Sequence, residues 1–178
     1  MILFVFFVLH LHTRRILLVQ ASFSPNSRWL KQQARHVLWE CQDREIKARF
    51  FLHDNDACYS EGFDGLLKSA GLKPVKNPYQ APNANAFAER WIRSLREECL
   101  KHLVILGLNR LQYVLDEYKD FFNYHRPHQG IENRIPEQIS HGARSKDETA
   151  SNKYSQPGNI QCHQLLGGLL KSYFCKAA

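Results

Sequence analysis

A chain of 178 residues that is 44% hydrophobic and 23% charged has the apolar content for one globular domain of ordinary size with a tail. Its formal net charge of +7 favours a polyanionic partner, because Lys and Arg gain by displacing counterions condensed on nucleic acid. The five cysteines (Cys41, Cys58, Cys99, Cys162 and Cys175) form no CxxC pair and no zinc-ligand spacing with the nine histidines. They read as reduced thiols of a cytoplasmic protein, not as a disulfide or zinc framework.

The opening run, MILFVFFVLHLHTRRILLVQAS, invites comparison with a leader or membrane anchor. No positive charge precedes it, and Arg14 and Arg15 split it into pieces far shorter than the ~20 residues a spanning helix needs, so no membrane partner is expected. Two strands fit better. Ile2 to Leu9 is continuously apolar, as in a strand buried on both faces, and Arg15 to Ala21 returns beside it through a turn at His10 to Arg15.

The periodicity then turns helical: Leu30, Ala34, Val37, Leu38 and Cys41 share one stripe after the start signals of Ser24 to Ser27. Arg49 to His53 reads as a short strand ending at Asp54. Phe63, Leu66, Leu67 and Ala70 mark a helix that stops at Gly71, and Lys73 to Lys76 reads as another short strand. Pro78 and Pro82 punctuate a loop, and Asn83 or Asn85 is positioned to cap the helix carrying Glu89. Leu111, Val114, Leu115, Tyr118, Phe121 and Phe122 give a last stripe, ended by Pro127 and Gly130. The expected order is β, β, α, β, α, β, α, α. From Ser140 the composition turns polar, which predicts a flexible linker, and Leu165 to Phe174 is apolar enough to dock, although Gly167 and Gly168 argue against a helix there.

Asp54, at a strand end, and Glu89, on an amphipathic helix, are a pair of carboxylates suited to holding a divalent cation for phosphoryl chemistry. Glu89 borders the apolar stripe formed by Ala88, Trp91, Ile92, Leu95, Cys99 and Leu103, with Arg93 and Arg96 on its own strip. Helix geometry alone favours a plainer alternative, a solvated Glu89–Arg93 pair worth tenths of a kcal/mol, on the order set for exposed i,i+4 pairs.

Linked motifs carry a resemblance. HDNDACYS (His53 to Ser60), then Phe63, Leu66 and Leu67, then GLKPV (Gly71 to Val75), then PYQAPNANAFAERW (Pro78 to Trp91) and NYHRPHQG (Asn123 to Gly130) together resemble the catalytic core of insertion-sequence transposases and retroviral integrases. The resemblance covers about residues 2–140 and leaves 141–178 as a polar linker and C-terminal tail. Even LLGGLLKSY (Leu165 to Tyr173) is similar to the end of some bacterial members. It implies an α/β, ribonuclease-H-like mixed sheet flanked by helices, and a triad of two aspartates and a glutamate. Asp54 matches the second aspartate and Glu89 the glutamate. Asp56 sits where the motif requires no acid and reads as a solvated loop residue or an accessory.

The first aspartate of that triad has no counterpart, since no acidic residue precedes Glu40. The chain therefore resembles a member truncated at its N-terminus, lacking the first, central strand. In an intact member the resemblance implies two Mg²⁺ or Mn²⁺ ions held by the carboxylates, here Asp54 and Glu89. Arg93, Arg96 and Lys76 would contact the DNA backbone. It also implies DNA integration or transposition, transposon ends and target DNA as partners, a homo-oligomer, and a cytoplasmic, nucleoid-associated place in a bacterial cell. Two rivals are a catalytically dead nucleic-acid-binding remnant and a ribonuclease-H-like nuclease. His125, Arg126 and His128 read as a structural turn in preference to a DNA contact, because Pro127 and Gly130 explain the motif as a helix stop. Cys162 and His163 look like half a metal site without a partner.

Overall fold

The computed structural model describes residues 2–56, 58–77, 82–140 and 160–175. The expected order appears: β1 (Phe4–His10), β2 (Arg15–Ser22), α1 (Ser27–Asp43), β3 (Phe50–His53), α2 (Glu61–Ser69), β4 (Lys73–Lys76), α3 (Pro82–Glu98) and α4 (Leu108–Tyr124). A short α5 (Pro136–Ser140) and a second hairpin, β5 (Ile160–Leu165) and β6 (Leu170–Cys175), follow.

Strands β1 and β2 pair antiparallel from Phe4 opposite Ser22 to His10 opposite Arg15, with a register shift between Val8 and Leu9. Burial departs from the sequence expectation. Strand β2 is the buried one, while β1 is mostly half-buried and Phe6 is its one buried residue. The reason is topological, since β1 has β2 as its sole ladder partner among the described residues. Strands β3 and β4 form a separate parallel pair in which Phe50 faces Lys73 and His53 faces Lys76.

Local chemistry sets the helix ends. The Asn26 side chain accepts a hydrogen bond from Trp29 N at 2.9 Å and caps α1. At the end of α2, Leu72 N donates to Leu67 O and Gly71 N to Lys68 O, each at 3.0 Å. This double bond pattern needs the positive φ of 82° that Gly71 adopts without a Cβ penalty. Helix α3 begins at Pro82, so Asn83 and Asn85 lie inside it and do not cap it. Proline fits a first turn because its missing N–H would lack an intrahelical partner anyway. Pro78 lies outside the described residues, as does the polar stretch 141–159, while Ser140 itself ends α5.

Two apolar clusters result. One joins Ile16 and Val19 of β2 to Trp91 and Leu95 of α3, to Leu111, Val114, Leu115, Tyr118 and Phe122 of α4, and to Leu170 of β6. The other joins Phe6 and Leu18 to Leu30, Ala34 and Val37 of α1, Phe63 and Leu67 of α2, and Leu72. The apolar tail thus docks as a hairpin. Gly167 and Gly168 take positive φ between its strands, and Leu170 is buried against the first cluster.

Candidate active site

Asp54 follows β3 directly, on a turn built by short polar side chains. His53 is buried and its Nδ1–H donates to Asp54 O at 2.8 Å, while its ring stacks on Tyr59 at 4.5 Å. Asn55 Nδ2 donates to Asn77 O at 2.9 Å, and Asn77 N donates to His53 O at 2.8 Å, which ties this turn to the exit of β4 beside Lys76. The Asp54 carboxylate is exposed and accepts one long bond, from Asp56 N at 3.4 Å.

Asp56 is committed elsewhere. Its Oδ1 accepts from Cys58 N at 2.9 Å and from Cys58 Sγ at 2.6 Å, which holds its carboxyl below the usual range. Burial first, and the neighbouring Asp56 second, push the Cys58 thiol up to about 11, so this cysteine stays protonated at neutral pH and is a poor nucleophile.

Glu89 is exposed on α3, as are Arg93 and Arg96. Among the described residues Glu89 forms no ion pair with Arg93 or any other cation, so the solvated pair that helix geometry allows is not made. Arg93 and Arg96 instead lie near Glu97, whose carboxyl is held low mainly by its hydrogen bond from Lys101. Phe51 and Tyr59, near Asp54 in sequence, pack on the second apolar cluster, and Trp91, two residues after Glu89, belongs to the first. No group of three His, Cys, Asp or Glu side chains that could hold a metal ion occurs among the described residues.

The NYHRPHQG motif is structural in its contacts. Asn123 is buried and pairs through its amide with both backbone groups of Ile16 at 2.9 Å. Arg126 makes a two-pronged contact with Glu98, at 3.0 and 2.6 Å, and Glu98 also accepts from Tyr118 Oη at 3.1 Å. His128 Nε2 donates to Phe122 O at 3.2 Å, and its ring packs on Phe122. His163 lies with its ring 4.6 Å from the His125 ring.

Residues 71–136 match the family model of the integrase core domain. The integrase-core match takes in β4, α3, α4 and Glu89 but not Asp54. The fold agrees over a longer stretch. The catalytic core domain of BIV integrase is similar with a TM-score of 0.56 at 16% identity, over 78% of this chain and 85% of that one. A chain of the simian T-cell lymphotropic virus intasome in complex with PP2A regulatory subunit B56 gamma is similar with a TM-score of 0.60 at 13% identity. That match covers 96% of this chain and 59% of the other, so this chain spans well under two thirds of it. No curated protein matches by sequence. The architecture is therefore the mixed α/β fold of integrase catalytic cores. No described helix is long and apolar enough to cross a membrane.

Proposed function

We propose that this chain is the core of a DNA integration or transposition protein of the insertion-sequence type, in which Asp54 and Glu89 are metal-binding carboxylates. The observation that carries this reading is that Glu89 falls inside the stretch matching the integrase core domain, in a chain whose fold is similar to an integrase catalytic core over 78% of its length. Both carboxylates are exposed, and no described cation neutralises either. Hard oxygen donors of this kind fit Mg²⁺ or Mn²⁺, since Mg²⁺ is commonly held by one or two carboxylates with water and substrate phosphate completing its shell. Bound there, the metal would supply charge neutralisation at a phosphodiester and an activated oxygen nucleophile. In this reading the His53 bond to the Asp54 carbonyl supports the turn that carries Asp54, and α3 carries Glu89. Arg93, Arg96 and Lys76, all exposed, would hold the DNA backbone by charge.

The chain as given is also proposed to be catalytically impaired. The β1–β2 hairpin carries no acidic residue, and two carboxylates neutralise paired ions less well than three. A central strand missing between β1 and β3 is consistent with the sheet, because each of these strands pairs on one side alone among the described residues. The same observation favours the second reading, a nucleic-acid-binding protein without catalysis. A homo-oligomer on transposon ends and target DNA, in the cytoplasm of a bacterium, completes the proposal.

The test assays the purified chain with Mg²⁺ or Mn²⁺ and a DNA substrate, beside a version extended upstream by an aspartate-bearing apolar strand. The extended form should join or cleave DNA, and Glu89→Gln should abolish this. Activity in the short form, lost in Glu89→Gln, would overturn the impairment, and inactivity of both forms with no DNA binding would overturn the whole reading.

A further inference from the structure

A cavity of about 480 Å³ opens between the β1–β2 turn, one flank of α3 and the segment after α4. Its lining includes Arg14, Phe87, Arg90, Trp91, Arg126 and His128. At 100° per residue, the mean direction of Phe87, Arg90, Trp91 and Ser94 lies about 140° around α3 from that of Glu89, Arg93 and Arg96, with Arg90 nearest the latter strip at about 60° from Arg93, so the cavity centres on a different flank from the proposed metal site.

Its cations are unevenly neutralised. Arg126 is paired with Glu98 at 2.6 Å, but neither Arg14 nor Arg90 meets a carboxylate within ion-pair distance among the described residues. Arg14 lies over the Phe87 ring, its guanidinium carbon 3.5 Å from the ring centroid, and takes a positive φ of 63° at the turn. Two neighbouring guanidinium groups repel each other, and the direction of the Arg14 shift, downward from burial and then from Arg90, reflects that proximity. Trp91 is 2% exposed, and its Nε1–H has no hydrogen-bond partner among the described residues. A buried donor of this kind costs roughly 1 to 3 kcal/mol when left unpaired, so it favours an acceptor in the cavity.

We propose that this cavity binds a nucleotide phosphate, seated between Arg14 and Arg90 with the Trp91 indole N–H as a further donor. A guanidinium fork matches phosphate oxygens with two parallel bonds, and two arginines without a carboxylate partner suit a dianion better than a single carboxylate. The volume suits one nucleotide and is far too small for a duplex. The phosphate can come from a free nucleotide or from a single strand, and the recognition chemistry is the same. The inference does not rest on Asp54 or Glu89.

Binding of dAMP, inorganic phosphate and a labelled hexadeoxynucleotide is measured by calorimetry and fluorescence anisotropy in EDTA, so that no metal site contributes. Arg90→Gln, an exposed position that spares the fold, should weaken binding of the hexanucleotide at least tenfold. Arg14→Gln should do the same where a thermal melt shows it folded, while Arg35→Gln, an equal charge change on α1, should stay within twofold. Competition by dAMP assigns the seat to free nucleotides; binding of the strand without such competition assigns it to a phosphate within a strand. Equal losses in Arg90→Gln and Arg35→Gln, or no saturable binding in any arm, would overturn the proposal.

Discussion

Asn123 closes the edge of β2 as a neighbouring strand would: its Nδ2 donates to Ile16 O and its Oδ1 accepts from Ile16 N, both at 2.9 Å. Gln112 repeats the device further along α4, accepting from Ala21 N at 2.8 Å and donating to Val19 O at 3.1 Å. Two side-chain amides thus satisfy backbone groups of a strand whose outer edge is covered by a helix that cannot offer its own.

Replacing Asn123 by Leu should destabilise the fold by about 2 to 4 kcal/mol, because it leaves a buried N–H and a buried C=O unpaired at once. Urea unfolding of Asn123→Leu and Asn123→Asp measures it. Asp keeps the acceptor but sets a buried carboxylate oxygen against the Ile16 carbonyl, so it should cost at least as much as Leu near neutral pH, and an unchanged midpoint in Asn123→Leu would remove the edge-closing role.

The fold should lose stability on mild acidification. Burial lowers the His128 imidazole below the usual histidine range. The Phe122 carbonyl opposes this, Arg126 adds to it, Glu98 opposes it and Arg14 adds to it. His10 and His125 are lowered in the same direction by burial and by the neighbouring His12 and His163, with Asp120 opposing at His125. Between the folded and unfolded pKa values the unfolded chain binds a proton that the folded one refuses. Their contribution is therefore fully present above the unfolded value of about 6.5 and is lost as pH falls through the folded values. Melting temperature should drop from pH 7.5 to pH 5, and the drop should shrink in His128→Gln. A drop of equal size in that variant would assign the effect to other groups.

If Asp54 and Glu89 serve one metal centre, Mn²⁺ affinity should fall at least tenfold in Asp54→Asn and in Glu89→Gln, and the double variant should lose less than the product of the two. Non-additivity is the signature of groups acting on a shared ligand. Calorimetric Mn²⁺ titration of the four proteins, with DNA present, reads it out, and strictly multiplicative losses would separate the two carboxylates.

DNA binding by this chain should be dominated by phosphate contacts, weakly selective for sequence and steeply dependent on salt. Neutralising Lys76, Arg93 and Arg96 together should flatten the plot of log affinity against log salt by about 0.9 per lost contact on duplex DNA. Anisotropy titrations at several salt concentrations check this; an unchanged slope in the triple variant would place the contacts elsewhere.

Much of this architecture was legible in the sequence because its signals are local. The 3.6-residue apolar stripe placed α1, α2 and α4, the continuous apolar runs placed β1 and β2, and Gly71 marked the end of α2 through a backbone angle that favours glycine. The linked motifs pointed to the integrase-core fold for the same reason, since motif order is a property of the chain alone.

Tertiary structure decided what depends on distant partners. Arg15 reads as the residue where the turn gives way to the second strand, yet it is 2% exposed, bonds Tyr124 Oη at 2.6 Å and pairs with Glu137 of α5. The half-burial of β1 followed from which strands it pairs with, and the tail became a hairpin because Leu170 found room in the first apolar cluster. Arg14, Arg90 and Arg126 share no motif spacing, and only the packing of a turn, a helix flank and a loop brings them to one cavity. Burial, edge closure and charge clustering are set by contacts between residues up to 109 positions apart, and such contacts leave no period in the sequence that carries them.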